Sequence, residues 1–243
     1  MGRWVAKAAA ADLRQAIQAK GKANLVVATG SSQFEVLGEL VKQPEIDWNR
    51  VHGFHLDEYV GISSQHPASF CKYLKERFVD HVPLASFEYL HGDQDPAETI
   101  LRAGQLLADS PIDLALVGIG ENGHLAFNDP PADFSTDQPY ILVELDEPCR
   151  QQQVGEGWFG SLADVPTHAI SMSVRQMMKA AKIYCSVPDR RKAAAVRATL
   201  EDDVSPEIPA SILREHGQAI LVIDAAAASE LSESTLSAAE RVG

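Results

Sequence analysis

Short apolar runs rich in β-branched residues alternate along the chain with Ala-rich stretches whose apolar positions recur at helical spacing. This alternation builds βαβ units, in which each strand is buried on both faces and each helix returns the chain over the sheet. Strands are expected at Leu25–Thr29, Val51–Leu56, Phe87–Leu90, Asp113–Ile119, Tyr140–Leu145, Ala169–Val174, Ile183–Val187 and Ala219–Ile223. Helices are expected at Asp12–Ala19, Phe34–Val41, Pro67–Val79, Pro96–Ala108, Arg190–Leu200 and Ala225–Leu231, most of them behind a capping residue or a proline. The Pro-, Gly- and polar-rich stretches Asp129–Gln138 and Glu147–Thr167 read as loops bordering a site. No repeat or low-complexity linker divides the pattern. The expectation is one α/β domain over residues 1–243, a single doubly wound, mainly parallel sheet with helices on both faces.

Composition narrows the partners. With 21 Lys and Arg against 34 Asp and Glu, the formal charge of −13 opposes a nucleic-acid backbone, and no basic cluster offsets it. A small anion is still compatible, because local N–H groups and one or two cations outweigh a diffuse field. Cys71, Cys149 and Cys185 are odd in number and lack C-x-x-C spacing, which signals neither a disulfide framework nor a zinc site. No stretch approaches the ~20 apolar residues of a membrane span. A cytoplasmic protein is expected, and a homo-oligomer is compatible with the sequence.

In an open parallel sheet the ligand lies beyond the carboxyl ends of the strands, so polar residues just after strands carry the chemistry. Thr29-Gly30-Ser31-Ser32 turns from a strand into a helix with hydroxyls and free N–H groups converging, which suits a phosphate; an N-capped turn is the plainer alternative. Asp57 and Glu58 follow a strand, where adjacent side chains point to opposite faces, so one acid at most faces a given pocket. The run Gly118 to Pro130 uses three glycines in six residues to deliver His124 from a strand end, with Asp129 close enough in sequence to orient its imidazole. An imidazole backed by a carboxylate is equipped for general acid-base catalysis. Lys192 opens a helix after Pro188-Asp189-Arg190-Arg191, where its ammonium and local N–H groups could share an anion.

Together, Ala28-Thr29-Gly30-Ser31, Leu56-Asp57-Glu58-Tyr59-Val60-Gly61, His66-Pro67-Ala68-Ser69, Gly120-Glu121-Asn122-Gly123-His124-Leu125-Ala126-Phe127-Asn128 and Pro209-Ala210-Ser211 resemble the glucosamine-6-phosphate deaminase (isomerase) family, collinearly from about Leu25 to Ser229. The resemblance implies an aldose-ketose isomerase that deaminates a hexosamine 6-phosphate without metal or cofactor. It implies catalytic roles for Asp57, His124, Asp129 and Asn122: Asp57 shuttles a proton between C2 and C1, His124 opens the sugar ring and Asp129 orients it. It places Thr29, Gly30, Ser31, Ser32, Glu58, Gly123 and Lys192 around the sugar phosphate. The chain departs from the family pattern in three places. Asp129 stands for a glutamate, Asn122 for an aspartate found in some members, and Gly157 for an arginine that clasps phosphate; Arg150, Arg190 and Arg191 are the alternatives for that cation.

Two other readings compete. A phosphogluconolactonase-type hydrolase shares the scaffold, but would typically carry Asp-Gly-His-Thr-Ala-Ser and Asp-Glu-Arg where this chain has Leu125 to Asn128 after His124 and Asp57-Glu58-Tyr59. A non-catalytic sugar-phosphate sensor would normally add a DNA-binding helix-turn-helix, for which the residues before Leu25 leave little room.

Overall fold

The computed structural model describes residues 1–108 and 110–242. Five-residue β1 (Ala23–Val27) places Leu25 and Val27 toward one face of its sheet and Val26 toward the other, and both faces are buried. Strand alternation therefore seeds two cores at once. On one face Leu25, Val27, Leu114 and Leu116 meet Val5, Ala9 and Leu13 of α1 (Gly2–Lys20) and Val36, Leu37 and Leu40 of α2 (Phe34–Leu40). On the other, Val26, Ala115, Val117 and Cys185 meet Ala103 and Leu107 of α4 (Pro96–Ala108) and Val196 of α7 (Ala193–Glu201).

The main sheet has six strands, all paired in parallel: β4 (Ser86–Glu88), β2 (Val51–His55), β1, β5 (Leu114–Val117), β8 (Ile183–Val187) and β9 (Ala219–Ile223), in that spatial order. The order reverses between β1 and β5. Loops leaving those two neighbours run in opposite directions, which opens a crevice at their carboxyl ends.

The remaining strands form a second sheet. β3 (Asp57–Tyr59) pairs antiparallel with β7 (His168–Met172), which pairs antiparallel with β6 (Tyr140–Glu144). Two strands expected in one sheet thus belong to another. The reason is legible in β6, whose outer residues Leu142 and Glu144 are exposed, as in an antiparallel sheet open to water on one side. Leu56 is the corner between the two sheets: its N–H donates to Val27 O at 3.2 Å and its carbonyl accepts from Met172 N at 2.9 Å.

Helix bounds depart from expectation in several places, α7 among them, which starts at Ala193 rather than Arg190 behind a 3₁₀ turn at Arg190–Lys192. α1 begins at Gly2 rather than Asp12, because Ala6, Ala9 and Ala10 bury a narrow stripe that small side chains conceal in the sequence. α3 (Phe70–Arg77) starts at the Ser69 cap, later than Pro67. The expected loop after Glu147 contains α5 (Glu147–Gly155), capped by Asp146, which accepts from Cys149 N, with Pro148 in its first turn. The expected helix at Ala225–Leu231 is instead a run of turns started by Asp224, which accepts from Ala227 N; α8 (Glu233–Ala238) follows behind a Ser232 cap.

Candidate active site

One cleft lies over the crevice between β1 and β5. Thr29 to Ser32 line it from the end of β1, Leu56 and Asp57 from the end of β2, Gly118 to Gly120 and His124 from the end of β5, Asp189, Arg191 and Lys192 from the end of β8, and Gln152, Gln153 and Glu156 from α5.

The loop after β1 is held open by its glycine and by a buried glutamine. Gly30 has φ +87°, the left-handed region that an L side chain rarely adopts. Its carbonyl accepts from Gln33 N at 3.0 Å and from the Tyr73 hydroxyl at 3.1 Å. Gln33 donates through Nε2 to Val117 O at 3.0 Å and to Ser32 Oγ at 3.1 Å, which ties this loop to β5.

Asp57 and Glu58 divide as strand alternation requires. Asp57 faces the cleft, and no hydrogen bond to its carboxylate is formed among the described residues. Burial, followed by the neighbouring Glu58 charge, pushes its carboxyl up to about 8. Glu58 does not line the cleft, contrary to the expected binding role. Its carboxylate accepts from Cys71 N at 2.7 Å, Ser69 Oγ at 2.8 Å, Tyr59 N at 2.9 Å and Phe70 N at 3.1 Å, and so anchors the first turn of α3. Burial still raises the Glu58 carboxyl, outweighing those four donors.

His124 reaches the cleft because Gly120 leaves room for it. A Cβ on Gly120 would lie 2.3 Å from His124 Cε1, well inside van der Waals contact. His124 Nδ1 stands 3.0 Å from Asp129 Oδ1, a contact that becomes an ion pair when the ring is protonated. Asp129 lies behind the imidazole, away from the cleft. It also accepts from Asn122 Nδ2 at 3.1 Å and from Asp146 N at 3.0 Å. Burial raises the Asp129 carboxyl, but His124, Asn122 and the Asp146 amide together hold it below the usual range. Asn122 accepts from His124 N at 3.1 Å and bridges Asp129 to Asp146, so it positions the dyad from outside the cleft. Gly123 also lies off the cleft wall; its carbonyl accepts from Ala210 N.

At the far end Lys192 is buried, and burial pulls its ammonium below the ordinary value against the opposing pull of Glu156. Of the alternative cations, Arg191 alone lines the cleft; Arg150 donates to Leu162 O and Val165 O instead. Gln152 and Gln153 were missed from sequence along with α5, whereas Glu156 stood out in the sequence as the acid beside Gly157. The available signal was Asp146-Glu147-Pro148, a helix start that would have turned that stretch toward the site.

Two clusters bring His, Cys and carboxylate atoms together as metal ligands would be: His55, Glu58 and Cys71, and His124, Asp129 and Cys149. In each the carboxylate accepts several protein hydrogen bonds. Among the described residues no helix is long and apolar enough to cross a membrane.

Residues 1–222 match the family of glucosamine-6-phosphate isomerases and 6-phosphogluconolactonase. The chain is 37% identical over 223 residues to glucosamine-6-phosphate deaminase of Exiguobacterium sp., covering 91% of this chain and 86% of that protein. It is 35% identical over 222 residues to the Bacillus cereus glucosamine-6-phosphate deaminase, covering 91% and 83%. Its fold superposes on a monomeric glucosamine-6-phosphate deaminase with TM-score 0.82 at 30% identity, over 94% of this chain and 96% of that one. The 6-phosphogluconolactonase of Thermotoga maritima superposes with TM-score 0.75 at 17% identity, over 91% and 94%, a likeness of fold. The chain is an enzyme of the glucosamine-6-phosphate isomerase/6-phosphogluconolactonase family, on its deaminase side.

Proposed function

We propose that the enzyme converts a hexosamine 6-phosphate and water to a ketose 6-phosphate and ammonium. The observation that carries this reading is a buried carboxylate, Asp57, without a hydrogen-bond partner among the described residues, in the same cleft as an imidazole backed by Asp129. A proton shuttle needs such a carboxylate at the reacting carbons, and ring opening needs a separate acid-base group.

The sugar's phosphate lies at the end formed by Thr29 to Ser32 and Lys192. His124 takes the proton of the anomeric hydroxyl and returns it to the ring oxygen, which opens the pyranose. Asp129 steadies the imidazolium formed between those two transfers. Asp57 then removes the C2 proton, and the electron pair moves into an enolamine as the aldehyde oxygen takes up a proton. Reprotonation at C1 leaves an imine at C2, which water hydrolyses to the ketone and ammonia. Electrostatic support for the developing enol oxygen comes from loop N–H groups around the cleft.

The test is incubation with glucosamine 6-phosphate, galactosamine 6-phosphate and 6-phosphogluconolactone, measuring ammonium, ketose and acid. Equal ammonium and ketose from an amino sugar phosphate is the expected result. Acid from the lactone without ammonium from either sugar would refute the proposal.

A further inference from the structure

Both cations that line the far end of the cleft already have an acid partner. Lys192 Nζ stands 3.6 Å from Glu156 Oε1, and both side chains are 7% exposed. Arg191 donates to Asp189 Oδ2 from Nε at 3.1 Å and Nη2 at 3.0 Å, with Glu121 3.8 Å from its Nη1. This end of the cleft is therefore close to charge balance before any ligand arrives.

Glu156 is also placed against electrostatic preference. It caps the C-terminus of α5, where the helix dipole disfavours a carboxylate. Specific partners hold it there: Gln152 Nε2 donates to Oε1 at 2.9 Å, Trp158 Nε1 donates to Oε2 at 3.2 Å, and Lys192 supplies the countercharge. A carboxylate fixed by two neutral donors on one side and an ammonium on the other stays in the cleft. A dianion entering that space must share or displace it, and meets repulsion in a site that excludes much of the screening water.

We infer that Glu156 is a specificity-determining residue: a built-in competitor of the substrate's phosphate for Lys192, which lowers the preference of the site for a phosphorylated sugar over the same sugar with a free hydroxyl. The inference rests on the proposed reading in one respect, that the phosphate lies at the Lys192 end. Removing the charge of Glu156 while keeping its shape frees Lys192, so phosphate binding tightens, and it does so whether or not chemistry follows.

The experiment compares the intact enzyme with Glu156→Gln by calorimetric titration with inorganic phosphate, and by kcat/KM for glucosamine 6-phosphate against glucosamine. Glu156→Gln is expected to bind phosphate about tenfold more tightly or better, and to raise the phosphorylated-to-unphosphorylated ratio of kcat/KM by a similar factor. Glu156→Ala serves if the amide variant does not fold, since it removes the same charge; thermal melting reports the fold of each. Unchanged or weaker phosphate affinity in a folded variant overturns the inference, as does absence of phosphate binding in every form. If neither sugar is turned over but the phosphate contrast appears, the proposed reaction has failed and this inference stands; turnover with unchanged phosphate affinity has the opposite meaning.

Discussion

Asp57→Asn should destroy activity and at the same time stabilise the fold, by an amount that depends on pH. The Asp57 carboxyl ionises near 3.8 when unconstrained but at about 8 in the fold, where burial is the main cause. Between those values the unfolded chain has lost the proton and the folded chain has kept it, so stability falls as pH rises through that window and levels off above about 8. At pH 7 the gap to the unconstrained value is about 3 pH units at 1.36 kcal/mol each, or roughly 4 kcal/mol. That is a ceiling on the gain, because the neutral Asn amide brings donors that also need partners. For a chain of this size it corresponds to at most roughly 8–16 °C in Tm. Thermal melting of both proteins from about pH 4.5 to about pH 8 is the assay. The variant's advantage should be small at the acid end and grow steadily toward neutrality. A Tm difference that does not change across that range would mean that Asp57 is not held protonated by the fold, since an effect of packing alone carries no proton.

Three further expectations follow from the same geometry. The kcat/KM of the intact enzyme should rise about tenfold per pH unit up to about 8 and then level, because the base works only once its raised carboxyl has lost its proton; a flat profile between pH 6 and 8 would exclude Asp57 as that base. Lys192→Ala should raise KM for a sugar phosphate at least tenfold, a loss of about 1.4 kcal/mol, and an unchanged KM would move the phosphate contact to another cation. Gly120→Ala should cut kcat by about 100-fold with the melting curve still cooperative, because the new Cβ, 2.3 Å from His124 Cε1, forces the imidazole out of place; near-normal kcat would show that the ring position is not critical.

Much of this fold was legible because its strands are short, apolar and buried on both faces. Ile183–Val187 and Ala219–Ile223 fall where the pattern places them, as does the helix Pro96–Ala108 behind its proline. What escaped was decided by tertiary context. Asp57–Tyr59 has no strand pattern of its own and becomes a strand by pairing with Ala169 to Ser171, which come more than a hundred residues later. Periodicity cannot report that partner. Ala225–Leu231 carries high helix propensity but no apolar stripe, and Asp224 draws its backbone into turns. In the cleft, the residues at strand ends were readable: Thr29 to Ser32, Asp57, His124 and Lys192 all line it. Glu58, Asn122 and Gly123 share those motifs yet stand off the wall, because the α3 amides engage Glu58 and the backing of His124 occupies Asn122. Glu156 was marked in the sequence only as the neighbour of Gly157, and its pairing with Lys192 is visible only in the fold.

The proposed reaction turns on Asp57 carrying a proton between C2 and C1 of an amino sugar phosphate. The most direct measurement follows by NMR, in ordinary water, the reaction of glucosamine 6-phosphate carrying deuterium at C2, reading ammonium, ketose phosphate and deuterium at C1 of the product, for the intact enzyme and for Asp57→Asn. The intact enzyme is expected to place deuterium from C2 at C1 in part of the product as ammonium is released, and Asp57→Asn, which still binds the sugar phosphate, to lose both by orders of magnitude. Near-normal deuterium transfer by Asp57→Asn would contradict that role.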